Sequence, residues 1–356
     1  MHSNNKILLV SINNFFGGGE VHFIKLAKLL TQFYEIRALV VDPRTAQILR
    51  EANIDIIQVS PHALKGVFGK YFHTGIQLTL QCMKFLPQIV QLNGQGECYL
   101  SIIPKVFRCR IVSTRHLPFN EHIQGIRRFL VRFNLSLTDM VICVSTLIQK
   151  QLNTFIPQNR LVMIPNWMNF IPSVPPDKAF GKDGILKILF VGRLEKIKGI
   201  FDLIEAMKCV TGASLEVVGD GSCMQQARQA AAGLPITFHG FQADCTTYYQ
   251  RADLLVFPSH PDLEGQGQVP FEAMAFGLPC LVSDIEVALE TCDNGACAEV
   301  YSHGDHKQLA EKIMFLKDTP DRLVLLRKRG LDRFRSTYTT RAVATQYRQV
   351  FDQLIR

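Results

Sequence analysis

The stretch from Phe257 to Pro279, F-P-S-H-P-D-L-E-G-Q-G-Q-V-P-F-E-A-M-A-F-G-L-P, constrains the fold most. An apolar run from Asp253 to Phe257 reads as a buried strand and stops at Pro258. A loop with Gly265 and Gly267 follows, and a helix is expected to start near Pro270. The first amides of a helix lack intrahelical partners and carry partial positive charge, so such a place suits an anion. Glycines there let the backbone approach the anion without a Cβ in the way. Glu264 and Glu272 bracket the loop with seven residues between them, the first in the loop and the second in the first helical turn. Two carboxylates repel a phosphate. They suit a ligand that also presents hydroxyls, such as a sugar or ribose.

At 356 residues the chain is long enough for two domains, and 47% hydrophobic with 20% charged residues is a globular balance. Ten cysteines lack the paired spacing of a zinc site, and there is no Asp-x-Asp motif, so no metal is expected. Scattered thiols suit a reducing cytoplasm. The N-terminus, M-H-S-N-N-K-I-L-L-V, reads as a first strand rather than a signal peptide. No run reaches the roughly 18 apolar residues of a membrane span. Charge is uneven: residues 1–170 hold 18 Lys and Arg against 8 Asp and Glu, while the remainder is slightly acidic. A basic half points to an anionic partner, such as a membrane surface. No nucleic-acid-reading motif is recognisable, so nucleic acid is not expected.

In the first half, a strand from Lys6 to Ile12 runs into Gly17, Gly18 and Gly19 and then a helix from Val21 to Phe33. That layout allows close phosphate approach but lacks the dinucleotide spacing. The segment from Ala63 to Phe85 reads as a core-facing helix. The alternative is a membrane-touching helix, with Lys65 and Lys70 toward anionic lipid and Phe68, Tyr71 and Phe72 toward the apolar boundary. A strand from Arg110 ends at Thr114-Arg115-His116, and ligand groups gather at such strand ends, which makes His116 a candidate. Asn93 and Gln95 are weaker candidates at the preceding strand end. Helix Gln124–Leu137 carries Arg127, Arg128 and Arg132.

Pro172 to Gly184 has no periodicity and reads as an interdomain linker. A strand, Leu186 to Val191, then opens Gly192-Arg193-Leu194-Glu195-Lys196-Ile197-Lys198-Gly199. Cations at a strand end, here Arg193 and Lys198, can neutralise a diphosphate leaving group. Further strands lead into Gly219-Asp220-Gly221 and into Phe241-Gln242, and a Y-Y-Q-R-A-D helix leads back to the Glu264 loop.

Glu264, seven residues, Glu272 and A-M-A-F-G-L-P resemble the donor-site signature of retaining glycosyltransferases of the GT-B type, family 4, the glycosyl transferases group 1. The Gly192–Gly199 string resembles that family's diphosphate-holding segment, Gly219-Asp220-Gly221 its nucleotide-side turn, and Gly17-Gly18-Gly19 its glycine loop. I-P-N-W-M-N, residues 164–169, is similar to the close of the family's first domain, with Trp167 and Asn169 where Gly and Asp are usual. Gln266 stands where Phe is frequent, which implies a more polar sugar pocket. The likeness is strong from Lys187 to Pro279 and loose before Ser113.

The resemblance implies an α/β, GT-B architecture of two Rossmann-like domains facing across a cleft. Residues 1–170 would bind acceptor, 171–340 would bind the nucleotide-sugar, and helix 341–356 would cross back to the first domain. It also implies transfer from a UDP- or GDP-sugar to a glycan or lipid-linked acceptor, with retention, in polysaccharide or lipopolysaccharide synthesis. No cofactor beyond that donor is expected. Arg193, Lys198, Glu264 and His116 are the implied catalytic residues. Gly17, Gly18, Gly19, Gly192, Gly219, Phe241, Gly265, Gln266, Gly267, Gln268, Val269 and Glu272 are the implied donor-binding ones. A cytoplasmic site is implied, with a peripheral seat on the inner membrane face as the extension. A nucleotide-sugar epimerase and a non-catalytic binding scaffold are the alternatives.

Overall fold

The computed structural model describes residues 5–14, 16–59, 66–94, 96–118, 125–174, 180–181, 184–261 and 264–355. Lys65 and Gln95, and the side chains of Phe68, Lys70 and Arg127, lie outside the described set. No described helix is long and apolar enough to cross a membrane. The chain divides into two compact units, Met1–Asn166 with Thr340–Arg356, and Trp167–Thr339. The described residues of the proline-rich stretch, 172–174, 180–181 and 184, fall in the second unit. The physical reason is anchoring: Trp167 is fully buried, the Met168 amide donates to the Tyr338 carbonyl at 2.9 Å, and Val174 packs against Gly277.

The first unit is a seven-stranded parallel sheet in the order β3-β2-β1-β4-β5-β6-β7. Its strands are β1 (Lys6–Ser11), β2 (Glu35–Val40), β3 (Asp55–Gln58), β4 (Ile89–Asn93), β5 (Arg110–Arg115), β6 (Met140–Cys143) and β7 (Leu161–Met163). Apolar runs such as K-I-L-L-V-S suit strands covered on both faces, and Ile7 to Val10 are wholly buried. Helices α1 (Gly18–Leu30) and α2 (Pro43–Glu51) connect β1 to β3, and the C-terminal helix, Thr340–Ile355, packs on α1. Helices α3 (Gly66–Lys84), α4 (Ile102–Val106), α5 (Gly125–Ser136) and α6 (Thr146–Asn153) connect the strands that run the other way. Right-handed crossovers put these two helix groups on opposite faces. The faces differ. The α3–α5 layer exposes Phe72, Ile76, Met83, Ile102, Val106 and Phe129, whereas among the described residues α1, α2 and the C-terminal helix expose no large apolar side chain.

The second unit is a six-stranded parallel sheet in the order β10-β9-β8-β11-β12-β13. Its strands are β8 (Leu186–Val191), β9 (Ala213–Val218), β10 (Ile236–Gly240), β11 (Leu254–Phe257), β12 (Cys280–Ser283) and β13 (Glu299–Tyr301). Its helices are α7 (Ile200–Met207), α8 (Met224–Ala230), α9 (Thr246–Arg251), α10 (Gln268–Ala275), α11 (Glu286–Thr291), α12 (His306–Asp318) and α13 (Pro320–Thr337). Ile188, Phe190, Leu203, Ile204, Val217 and Ile313 sit in one core cluster, each worth about 1.5–3 kcal/mol of burial. In both sheets the strand order reverses at the centre, at β1/β4 and at β8/β11. Open parallel sheets bind ligands beyond the carboxyl ends of their strands at such a reversal.

Candidate active site

Two strand ends meet at the reversal of the second sheet. β8 runs out into Gly192 and Arg193, and its neighbour β11 into Pro258 and Ser259. After Arg193 the chain makes a 3-10 turn, Lys196–Lys198, closed by Gly199 in the left-handed region at φ 70°. A Cβ on Gly199 would stand 1.9 Å from the Pro258 carbonyl oxygen, so the lysine turn rests on bare backbone of the following loop. His260 ties the same segments. Its amide donates to the Ile197 carbonyl at 2.8 Å, and its ring meets the Asp202 carboxylate at 2.5 Å. Gly219, at φ 138°, serves a similar close approach: a Cβ there would lie 1.8 Å from the Gly192 carbonyl oxygen.

These contacts bring Lys198 and Glu264 together as an ion pair, their side chains 19% and 14% exposed. The Ser259 hydroxyl donates to the same Glu264 oxygen at 3.1 Å. A cavity of about 180 Å³ opens here, lined by Gly192, Arg193, Lys198, Glu264, Gln266, Gln268 and Val269. Gly265 and Gly267 are buried in the adjoining loop. Gly219, Phe241 and Glu272 are not part of that lining. Phe241 is 75% exposed after β10, and Glu272 accepts a hydrogen bond from Tyr249 at 2.9 Å.

Helix α10 starts at Gln268, two residues ahead of the expectation, with Gly267 as its N-cap. Pro270 is then its third residue, where a missing N–H costs nothing because the first amides lack partners anyway. Glu272 consequently falls in the second turn, not the first. The Gln268 amide donates to the Gln266 carbonyl at 2.9 Å.

The first unit gathers a different set. Gly17 caps α1, and Gly18 and Gly19 are its first residues. A Cβ on Gly19 would lie 3.9 Å from both the Asn13 amide nitrogen and His116 Cδ2, and 4.0 Å from the Asn93 amide nitrogen. Residues that follow or end β1, β4 and β5 thus surround one glycine. Asn93 donates its amide to the Gly19 carbonyl at 3.1 Å, so its oxygen accepts from His116 Nε2 at 2.8 Å. Neutral His116 then carries its lone pair on Nδ1. Burial, reinforced by the charge of Arg115, pushes His116 down to about 4.

His22, which the sequence did not single out, meets His116 edge to face at 4.6 Å between ring centroids. Its Nδ1 donates to Asn166 Oδ1 at 2.7 Å, and its Nε2 accepts from the Tyr347 hydroxyl at 3.3 Å. Burial first, and then His116, holds His22 well below the ordinary histidine range. Glu20, also missed, is 2% exposed and accepts from Ser11 at 2.8 Å and Asn13 at 2.7 Å, and burial raises its pKa. The motif E-V-H directly after the glycines was the available signal for both.

A family model described as glycosyl transferases group 1 matches residues 186–318, and one described as glycosyltransferase family 4 matches residues 16–170. The chain belongs to the group 1 glycosyltransferases. The chain is 29% identical over 171 residues to the lipopolysaccharide core biosynthesis glycosyltransferase LpsD of Rhizobium meliloti (strain 1021), covering 47% of this chain and 49% of that one. It is 24% identical over 375 residues to an uncharacterized glycosyltransferase of Methanocaldococcus jannaschii, covering 98% of each. The matches to the first curated relatives span about half of those proteins' length. The crystal structure of HepE from Anabaena in complex with UDP-glucose superposes with a TM-score of 0.81 at 18% identity, over 98% of this chain and 99% of that one. The fold is GT-B, with two Rossmann-like units.

Proposed function

We propose that this glycosyltransferase moves a sugar from a UDP- or GDP-sugar to a glycan or lipid-linked acceptor, with retained anomeric configuration, in the synthesis of a polysaccharide or lipopolysaccharide. The observation that carries the reading is the convergence of Arg193, Lys198 and Glu264 on one cavity at the β8/β11 reversal. As the bond between the anomeric carbon and the diphosphate oxygen breaks, negative charge grows on the phosphate. Arg193 and Lys198 stabilise it there. Glu264 supports the positive charge that develops at the anomeric carbon. Glu272 accepts from ribose hydroxyls, and Phe241 lies at the base. The second unit is the donor side and the first, with neutral His116, is the acceptor side, while Gly17, Gly18 and Gly19 serve the donor. The two cations carry the charge that a metal would otherwise carry, so EDTA should leave turnover unchanged.

Similarity to LpsD supports the polysaccharide context, and the UDP-glucose complex of HepE supports the donor class. The test is titration of the purified protein with UDP-, GDP- and ADP-sugars, followed by assignment of the anomer formed on the acceptor. Absence of binding by every nucleotide-sugar, or an inverted product, overturns the reading.

A second partner follows from the exposed apolar layer α3–α5. Residues 66–136 carry nine Lys and Arg against two Glu, and Phe72, Ile76, Phe129 and Phe133 stand exposed among them. Exposed apolar side chains on a segment rich in Lys and Arg fit the boundary of an anionic bilayer on the cytoplasmic face. The protein should co-sediment with phosphatidylglycerol vesicles and not with phosphatidylcholine ones. Failure with both removes the membrane seat.

A further inference from the structure

We infer that Tyr249 is the positioning residue that aims Glu272 at the ribose, and that it thereby sets how strongly the site prefers a ribonucleotide to a deoxyribonucleotide. The inference rests on the reading of Glu272 as the ribose acceptor. Tyr249 lies on α9 and is 3% exposed. Its hydroxyl donates to Glu272 Oε2 at 2.9 Å. Its ring stacks on Phe276 at 5.2 Å and 11°, and Phe276 follows Glu272 by one helical turn on the same helix. One side chain therefore grips α10 twice, by a flat apolar contact and by a hydrogen bond to the carboxylate.

A phenol facing a carboxylate can only donate. Burial, and then the charge of Glu272, pushes the Tyr249 phenol well above its ordinary value, so it stays protonated. A carboxylate offers about four lone-pair directions, and a donor held on one of them fixes the plane of the rest. A glutamate ordered before the nucleotide arrives does not lose that freedom on binding. The neighbouring tyrosine does not share the task. Tyr248 meets the His239 ring at 4.9 Å, tilted by 60°, and lies under the Arg251 guanidinium at 4.5 Å. The pair Tyr248-Tyr249 thus divides into a half-buried residue beside His239 and Arg251 and a buried one that donates to Glu272.

The experiment measures binding of UDP, GDP and ADP, and of the 2′-deoxy and 3′-deoxy forms of the tightest of them, to the wild type and to Tyr249→Phe, Tyr248→Phe and Glu272→Ala. Tyr249→Phe keeps the stacking and removes one oxygen, and a melting temperature close to wild type confirms an intact unit. The wild type should prefer the ribonucleotide to one deoxy form by ~10-fold or more, and Glu272→Ala should erase that preference. Tyr249→Phe should cut it to about 2–3-fold by weakening the ribonucleotide alone. Tyr248→Phe should match the wild type. Full discrimination in Tyr249→Phe, with none in Glu272→Ala, overturns the positioning role and leaves the ribose reading standing. Full discrimination in Glu272→Ala overturns the ribose reading and this inference with it. Equal weakening of ribo and deoxy forms in Tyr249→Phe also overturns the inference, because a structural prop would act on both.

Discussion

The carboxyl ends of the two sheets are built from opposite electrostatics. In the second unit the strand ends present ionised groups, with Arg193, Lys198 and Glu264 around one cavity. In the first unit the groups gathered around Gly19 are uncharged, although the buried Arg115 ends β5 beside them. His22 and His116 are held neutral, and Asn13 and Asn93 supply amides. Near-identical parallel sheets thus end in sites suited to different work. A fixed cation pair suits a diphosphate, whose charge must be met at full strength in a partly dry cavity. A neutral imidazole among amides suits hydroxyls, which exchange hydrogen bonds without a charge to neutralise. The fold provides the place, and the residues at the strand ends decide the chemistry.

The sharpest break of this contrast is Lys198→Ala. Turnover should fall by about 10²–10³-fold, the range for losing one preorganised charge at a developing anion, with the melting temperature nearly unchanged. Near-normal turnover in steady-state kinetics would remove the leaving-group role. Next comes Glu264→Gln, which splits two quantities. Turnover should drop about tenfold. Nucleoside-diphosphate affinity should rise several-fold by calorimetry, because Lys198 no longer pairs with a carboxylate that competes with phosphate. Unchanged or weaker affinity would show that the ion pair does not compete with phosphate.

The neutral cluster has a pH signature. His22 and His116 titrate lower in the folded chain than the roughly 6.5 of an unfolded histidine, so folding stability is full above that value and is lost as pH falls below it. For His116, at about 4 when folded, the loss between pH 7 and pH 5 should be about 2 kcal/mol. Urea unfolding at the two pH values should show a smaller gap in His116→Gln than in the wild type, and an equal gap would contradict the buried-neutral assignment. The smallest effect belongs to Gly19→Ala. Its new methyl meets Asn13 and His116 at ordinary contact distance, so the melting temperature should hold while the donor KM rises a few-fold. An unchanged donor KM would remove this loop from the donor site.

How much of this was legible in the sequence differs between the units for the same reason that their sites differ. Charged residues at a strand end with glycine spacing leave a local imprint, and Arg193, Lys198, Glu264, Gln266, Gln268 and Val269 did fall on one cavity. The neutral cluster is assembled from afar. His22 finds Asn166 across 144 residues and Tyr347 across 325, and no local pattern announces such partners. Helix α13, Pro320–Thr337, also lacked a local signal. Its arginine-rich stretch R-K-R-G-L-D-R-F-R masks a buried face that includes Leu323, Leu326, Gly330 and Phe334, and Gly330 lies against Met274 of α10. Helix α10 starts at Gln268, two residues before the Pro270 near which the sequence places it, because any of the first few positions tolerates a proline.

The seating of Gly199 on the Pro258 carbonyl has a consequence for how such a protein can change over generations. The position of Lys198 is dictated by main chain on main chain, and by an amide-to-carbonyl bond from His260 to Ile197. The backbone seat of Lys198 does not rest on loop side chains such as Gln266, although its ammonium pairs with Glu264. Substitutions in that loop can therefore reshape what the cavity accepts while leaving the charge that drives bond cleavage where it was. One glycine and a proline thus separate the evolution of selectivity from the evolution of catalytic power.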